Sequence, residues 1–259
     1  MNVTNFSKNG FIVIKKAISK QILKELQKNA FYILSKYSRV DYNSFVKITK
    51  KINDNDKFKV AKKIHEYFLY KKNIEKILQE KKLLNYLVSI LGSDLCYENN
   101  SNTIILNTPL KNNLKKNYMF KEWHQEIWSG ADTNTLQIWI PLLQKDNSGG
   151  QLEIIKGSHR WGHIPHHNRE PIDLPKSYKT IKTNLELGDA LIFSTVLVHR
   201  TVPAQFPRLS LPFHVRNFKY KNISYENIKS WTIFSHSELT KIEKFLGNHY
   251  LSPYRLKNI

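Results

Sequence analysis

The spacing of apolar residues changes once in this chain, near Leu95, and that change narrows the folds open to it. Before it, apolar residues recur at helical intervals. Ile22, Leu23, Leu26, Ala30, Phe31, Ile33 and Leu34 fall on one face. Ser19 is in place to cap the start of that helix. The spacing predicts further helices over 60–70 and 82–91, with Gly92 where a left-handed cap residue belongs. Residues 11–14, Phe-Ile-Val-Ile, read as a short strand. The polar stretch 38–57, with Asn53-Asp54-Asn55-Asp56, reads as a loop.

After Leu95 the pattern becomes short strands separated by turns. They are predicted at 103–106, 120–126, 135–142, 151–155, 180–185, 190–193, 196–201 and 209–218. Asn147-Ser148-Gly149-Gly150 and Gly188-Asp189 are turn signals. Many short strands with no helices between them imply a sandwich, jelly roll or barrel. The tail over 224–247 is helical by pattern, with Ile228, Trp231, Ile242 and Phe245 as apolar-face residues. The expectation is one mainly β domain with flanking helices. Residues 1–94 are its helical support, 95–218 its β core and 219–259 a helical extension.

Composition removes several classes of function. The chain has 259 residues and one cysteine, Cys96, so it has no internal disulfide framework, and a reducing compartment is expected. Its apolar runs are too short for a membrane span or a signal-peptide core, which predicts a cytoplasmic protein. Lys and Arg number 41 against 21 Asp and Glu, a balance of +20. The lysines are scattered as doublets such as Lys15-Lys16 and Lys62-Lys63, and no block of five or six occurs. A solvated surface is favoured over a nucleic-acid face, and anionic small molecules are favoured partners.

The residues able to carry chemistry are few. In Trp123-His124-Gln125-Glu126, an extended strand would aim His124 and Glu126 at one point and Gln125 away. A solvated strand edge has the same appearance, so the pair alone is weak. His199 adds weight, 75 residues downstream in another strand-like run. Two histidines and a carboxylate form a facial triad, which suits non-heme Fe(II) with open positions. Arg208 and Ser210 share a strand face, and a guanidinium with a hydroxyl suits a carboxylate. Arg200 should face away from His199. Arg216 shares the phase of Arg208 but lies about 26 Å farther along an ideal strand.

Taken together, these pieces resemble the phytanoyl-CoA dioxygenase family of Fe(II)/2-oxoglutarate oxygenases. The resemblance runs from about Asn5 to Phe218. It includes Asn9-Gly10-Phe11-Ile12-Val13-Ile14, Trp123-His124-Gln125-Glu126, the strand from Leu136 through Trp139 to Leu142, and Gly149-Gly150-Gln151-Leu152. It continues through Gly157-Ser158-His159-Arg160, Gly188-Asp189 and His199, and ends at Arg208-Leu209-Ser210. It implies a double-stranded β-helix, the cupin-like jelly roll, with an N-terminal helical layer. It also implies that His124, Glu126 and His199 hold the iron and that Arg208, helped by Ser210, binds the distal carboxylate of 2-oxoglutarate. O2 is the third reactant. Two positions depart from the pattern. Glu126 stands where most members have Asp, and the interval from His199 to Arg208 is about two residues shorter than usual.

Secondary candidates follow. Asn107 falls where members often place a polar 2-oxoglutarate contact. Gln137 and Trp139, in phase with Thr135, either line the site or are ordinary packing. His159 sits in the family's structural Gly-Ser-His turn. His163, His166 and His167 read as loop or substrate-side residues, His65 and His236 as plain helix or loop residues, and Cys96 as core. The resemblance implies oxidation of a small substrate, with release of succinate and CO2. Halogenating relatives lack the carboxylate, so Glu126 argues for hydroxylation. The competing reading is a non-catalytic jelly-roll binding protein with a degenerate metal site.

Overall fold

The computed structural model describes residues 3–35, 41–99, 104–109, 121–129, 131–145, 151–168, 170–220 and 231–246. Its helices are α1 (Val3–Asn9), α2 (Lys20–Ser35), α3 (Tyr42–Lys51), α4 (Asp54–Tyr70), α5 (Asn73–Leu78), α6 (Lys81–Leu91) and α7 (Glu238–Leu246). Its strands are β1 (Phe11–Ile14), β2 (Leu95–Glu98), β3 (Ile105–Asn107), β4 (Thr135–Leu143), β5 (Leu152–Ile155) and β6 (His166–His167). They continue with β7 (Glu170–Pro171), β8 (Thr180–Lys182), β9 (Ala190–Ser194), β10 (His199–Thr201), β11 (Arg208–Asn217) and β12 (Trp231–Ser235). The large sheet runs β1-β9-β4-β11-β2-β12, with β3 also on β11. A smaller sheet runs β10-β5-β8, and β6 pairs with β7. Among the described residues, each of these strand pairings is antiparallel.

Alternation along the strands separates two cores. Leu136, Ile138 and Ile140 of β4, Ile192 of β9, and Leu209, Leu211, Phe213 and Val215 of β11 pack against the helical layer. That layer contributes Leu26, Phe31, Phe45, Ile64, Phe68 and Leu87. The opposite face turns Trp139, Leu191 and Phe193 toward Leu152, Ile154 and Leu197, between the sheets. Because side chains alternate with a period of two, Arg208, Ser210, His214 and Arg216 also point to this inner face. A buried polar row on an otherwise apolar β-barrel interior marks where ligands are held.

The structure corrects several expectations. The 38–57 loop is mostly helix, since α3 and α4 occupy it. Asp41 caps α3, accepting from the Ser44 N–H at 2.8 Å, and Phe45 and Thr49 form a buried helical face. Asn53 is the N-cap residue of α4, and Asp56 falls in its first turn, where the helix dipole favours negative charge. Gly92 has φ 83° and ψ −179°, a glycine-only conformation but not the left-handed helical one. In the tail, β12 replaces predicted helix. Trp231, Thr232, Ile233 and Phe234 are aromatic or β-branched, and they extend the large sheet by pairing with β2. Ile242 does lie on a helix, α7, but it is exposed. Ile228 and the 147–150 turn lie outside the described residues.

Gly10 joins α1 to β1 with φ +80°. A Cβ there would fall 2.4 Å from His159 Nδ1 and 2.7 Å from Leu197 Cδ1. His159 is therefore structural: its Nε2 donates to the Ser7 carbonyl at 2.9 Å. Gly10→Ala should combine backbone strain with overpacking and destabilise by roughly 2–6 kcal/mol. Urea denaturation should show a clearly lower midpoint. An unchanged midpoint would mean that this corner is looser than described.

Candidate active site

Among the described residues 121–126 the strand predicted over 120–126 is not formed, yet its key residues still converge. His124 makes a single antiparallel bridge with His199, and Glu126 opens a 3-10 turn, Glu126–Ser129. The bridge places the two imidazoles side by side, with ring centroids 4.2 Å apart. The turn then swings the longer Glu126 side chain back beneath them. Its Oε1 lies 3.3 Å from Nε2 of both His124 and His199. Gln125 points away, as expected, and staples the segment. Its amide donates to the carbonyls of Gly162 and Val196 and accepts from the Ile164 N–H.

The tautomers follow from the partners. Nδ1 of His124 lies 2.6 Å from the Glu122 carbonyl, and Nδ1 of His199 lies 2.9 Å from the Leu197 carbonyl. A carbonyl only accepts, so each Nδ1 carries a proton and each ring turns its Nε2 toward Glu126. Burial, reinforced by the neighbouring His199, lowers the His124 pKa to about 4, so that ring is neutral at physiological pH. Burial alone would push the Glu126 carboxyl up. The Lys121 ammonium, the largest opposing influence, outweighs it and holds the group well below the usual carboxylate range. Lys121 Nζ lies 3.3 Å from the other oxygen, Oε2. Three electron-rich atoms thus converge, and the ligand atoms lie within 4.8 Å of one another. This donor set fits a divalent cation, and two imidazoles with one carboxylate suit Fe(II). Among the described residues it is the single such group.

A second set faces the same inter-sheet space. Arg208 is 1% exposed, and its Nη2 donates to Asn107 Oδ1 at 2.6 Å. Its guanidinium lies 4.6 Å over the Trp139 ring. Its Nε and Nη1 have no partner, nor do Ser210 Oγ and Trp139 Nε1, and all four atoms are buried. Burial pushes the Arg208 pKa down to about 9, which leaves it charged at neutral pH. A buried cation with unpartnered donors beside it fits a carboxylate. Arg208, Ser210, Asn107 and Trp139 therefore come together. Gln137 shares their face, but its Oε1 is 3.0 Å from His214 Nε2.

Other candidates resolve as structure. Arg200 faces outward, bonded to Glu153 at 2.8 Å through Nε and stacked on Trp123. Arg216 pairs with Asp132 at 3.0 Å. His163 and His166 have ring centroids 6.1 Å apart, and Trp128 stacks on His166. His65 bonds the Asn99 carbonyl. Cys96 is buried, and burial raises its thiol pKa to about 12. Sequence reasoning missed Lys121, His214 and Glu98.

The family model for phytanoyl-CoA dioxygenase matches residues 6–208, most of the chain. The chain belongs to the phytanoyl-CoA dioxygenase family. It is therefore a non-heme iron, 2-oxoglutarate-dependent oxygenase, and Fe(II), 2-oxoglutarate and O2 are its cofactor and cosubstrates. No curated protein matches it in sequence. Solved structures share the fold of this oxygenase. The non-heme monooxygenase ThoJ, without ligand, is 16% identical, with a TM-score of 0.64 over 91% of this chain and 84% of its own. The carbocyclase SnoK from nogalamycin biosynthesis is 14% identical, with a TM-score of 0.56 over 83% and 82%. The epimerase SnoN, in complex with Fe3+, alpha-ketoglutarate and nogalamycin RO, is 14% identical, with a TM-score of 0.52 over 83% and 81%. Among the described residues, no helix of the oxygenase is long and apolar enough to cross a membrane.

Proposed function

We propose that this oxygenase hydroxylates a small-molecule substrate, with His124, Glu126 and His199 as iron ligands and Arg208 as the anchor of 2-oxoglutarate. The observation that carries this is the buried Arg208 guanidinium with two unpartnered nitrogens, stacked on Trp139 in the cluster whose Phe193 packs on His199 of the triad. Bound there, Fe(II) would supply the activation of O2 with 2-oxoglutarate as cosubstrate, and succinate and CO2 would be the co-products.

The chain's own residues do the rest. His124 and His199 offer their Nε2 atoms, and Glu126 adds one negative charge. Lys121 Nζ lies 3.3 Å from Oε2 and 3.5 Å from Oε1 and braces the carboxylate beside the imidazoles. Arg208 neutralises the distal carboxylate, and Ser210 Oγ and Trp139 Nε1 are donors on the same face. Asn107 fixes the guanidinium, and the Trp139 ring lies against it. Phe193 sets its edge against the His199 ring, with centroids 4.6 Å apart, and keeps water from that side. Glu126 supplies the carboxylate, which favours hydroxylation over halogenation. The positive balance of the chain favours an anionic metabolite, including a saccharide that carries phosphate or nucleotide.

Reconstitution supplies the test. The full chain with Fe(II), 2-oxoglutarate and air should form succinate, and a chelator should stop it. Absence of iron-dependent succinate, with or without added anionic saccharides, would overturn the proposal.

A further inference from the structure

Gln137 lies opposite Phe193 on one side and opposite His214 on the other, in a row across the large sheet. Glu98 extends the row, with its Oε2 2.9 Å from His214 Nδ1. Gln137 Oε1 lies 3.0 Å from His214 Nε2. The three side chains are 2–4% exposed. A carboxylate and an amide oxygen both accept, so each ring nitrogen of His214 faces an acceptor.

This chain of bonds sets the polarity of Gln137. Its oxygen is committed to His214, so its NH2 points the other way. That nitrogen bonds to no described residue and is not among the sealed, unpartnered atoms. Phe193, the register partner of Gln137, packs on His199. Trp139, two residues farther along β4, carries the Arg208 guanidinium. Two strand residues span about 6.6–6.8 Å. The Arg208 guanidinium, held over Trp139, and the Gln137 amide therefore stand one side-chain step apart on one face.

We propose that Glu98 and His214 are positioning residues that hold the Gln137 NH2 toward the triad, where it donates to the keto-acid end of 2-oxoglutarate. This rests on the site proposed above. Arg208 reads the end that 2-oxoglutarate shares with succinate, and Gln137 reads the end that succinate lacks.

The test uses the full chain loaded anaerobically with Fe(II) and titrated with 2-oxoglutarate and, separately, with succinate. Losing a hydrogen bond to a charged group should weaken 2-oxoglutarate roughly tenfold or more in Gln137→Leu, with succinate unchanged. Gln137→Glu still accepts from His214 but presents a carboxylate oxygen, so it should weaken 2-oxoglutarate further. Glu98→Gln puts a group that can donate beside His214 Nδ1, so the ring no longer has to present a donor to Gln137 and the amide can turn round. It should mimic Gln137→Leu, and the double variant should add nothing, a non-additivity that a purely structural role would not give. If Glu98→Gln fails to fold, the two Gln137 variants decide alone. Unchanged 2-oxoglutarate affinity in Gln137→Leu, or equal losses for succinate, would overturn the inference. If Arg208→Ala leaves both ligands unaffected, the site reading itself has failed.

Discussion

Replacing Arg208 with alanine should weaken 2-oxoglutarate binding by roughly 30-fold or more. Truncating one partner of a buried charge pair costs about 2–5 kcal/mol, and about 1.4 kcal/mol is tenfold. Arg208 meets the conditions for the full effect. It is buried, Asn107 fixes its orientation, and its unpartnered nitrogens sit in the inter-sheet space. Anaerobic titration of the iron-loaded protein gives the number directly. Unchanged affinity would remove Arg208 from the site. Arg200→Ala is the control. Arg200 is bonded to Glu153 and its side chain is 37% exposed, so its loss should barely move the affinity.

Glu126→Ala should abolish most iron-dependent succinate formation and should weaken metal binding beyond the 10- to 100-fold typical of losing a ligand's supporting partner. Glu126→Asp should retain substantial turnover. Its shorter carboxylate can still reach the cation, although it withdraws from Lys121. Metal affinity measured with Mn(II) separates a lost ligand from a lost fold. Native-like turnover in Glu126→Ala, or a chlorinated product from the native protein, would overturn the assignment of this carboxylate.

Much of this site is legible in the sequence, though partly for the wrong reason. A strand would pair His124 with Glu126 because alternate residues share a face. They meet instead because a one-residue bridge is followed by a tight turn. The longer glutamate suits that turn. Arg208 and Ser210 are legible because β11 is a true ten-residue strand. The same phase leads to His214, but without a visible partner one histidine on a strand carries no signal. Glu98 sits on β2, 116 residues away, and only the folded sheet joins them. Lys121 is hidden among forty other basic residues. In the helical layer, α3 escapes notice because lysines and asparagines crowd the apolar residues that form its single buried face. Trp231 reads as helical because a short apolar run fits either period, and pairing with β2 decides it.

The bridge between His124 and His199 is reciprocal. His124 N–H donates to the His199 carbonyl at 2.9 Å, and His199 N–H donates back at 3.0 Å. The separation of the two imidazoles is therefore written into the backbone ladder and does not wait for an ion to draw them together. In small zinc modules, ion and fold arrive as one event. Here the spacing of the two rings rests on the main chain. A chelator that stops succinate formation should therefore leave the circular-dichroism spectrum of the fold unchanged, where the same treatment would unfold a zinc module.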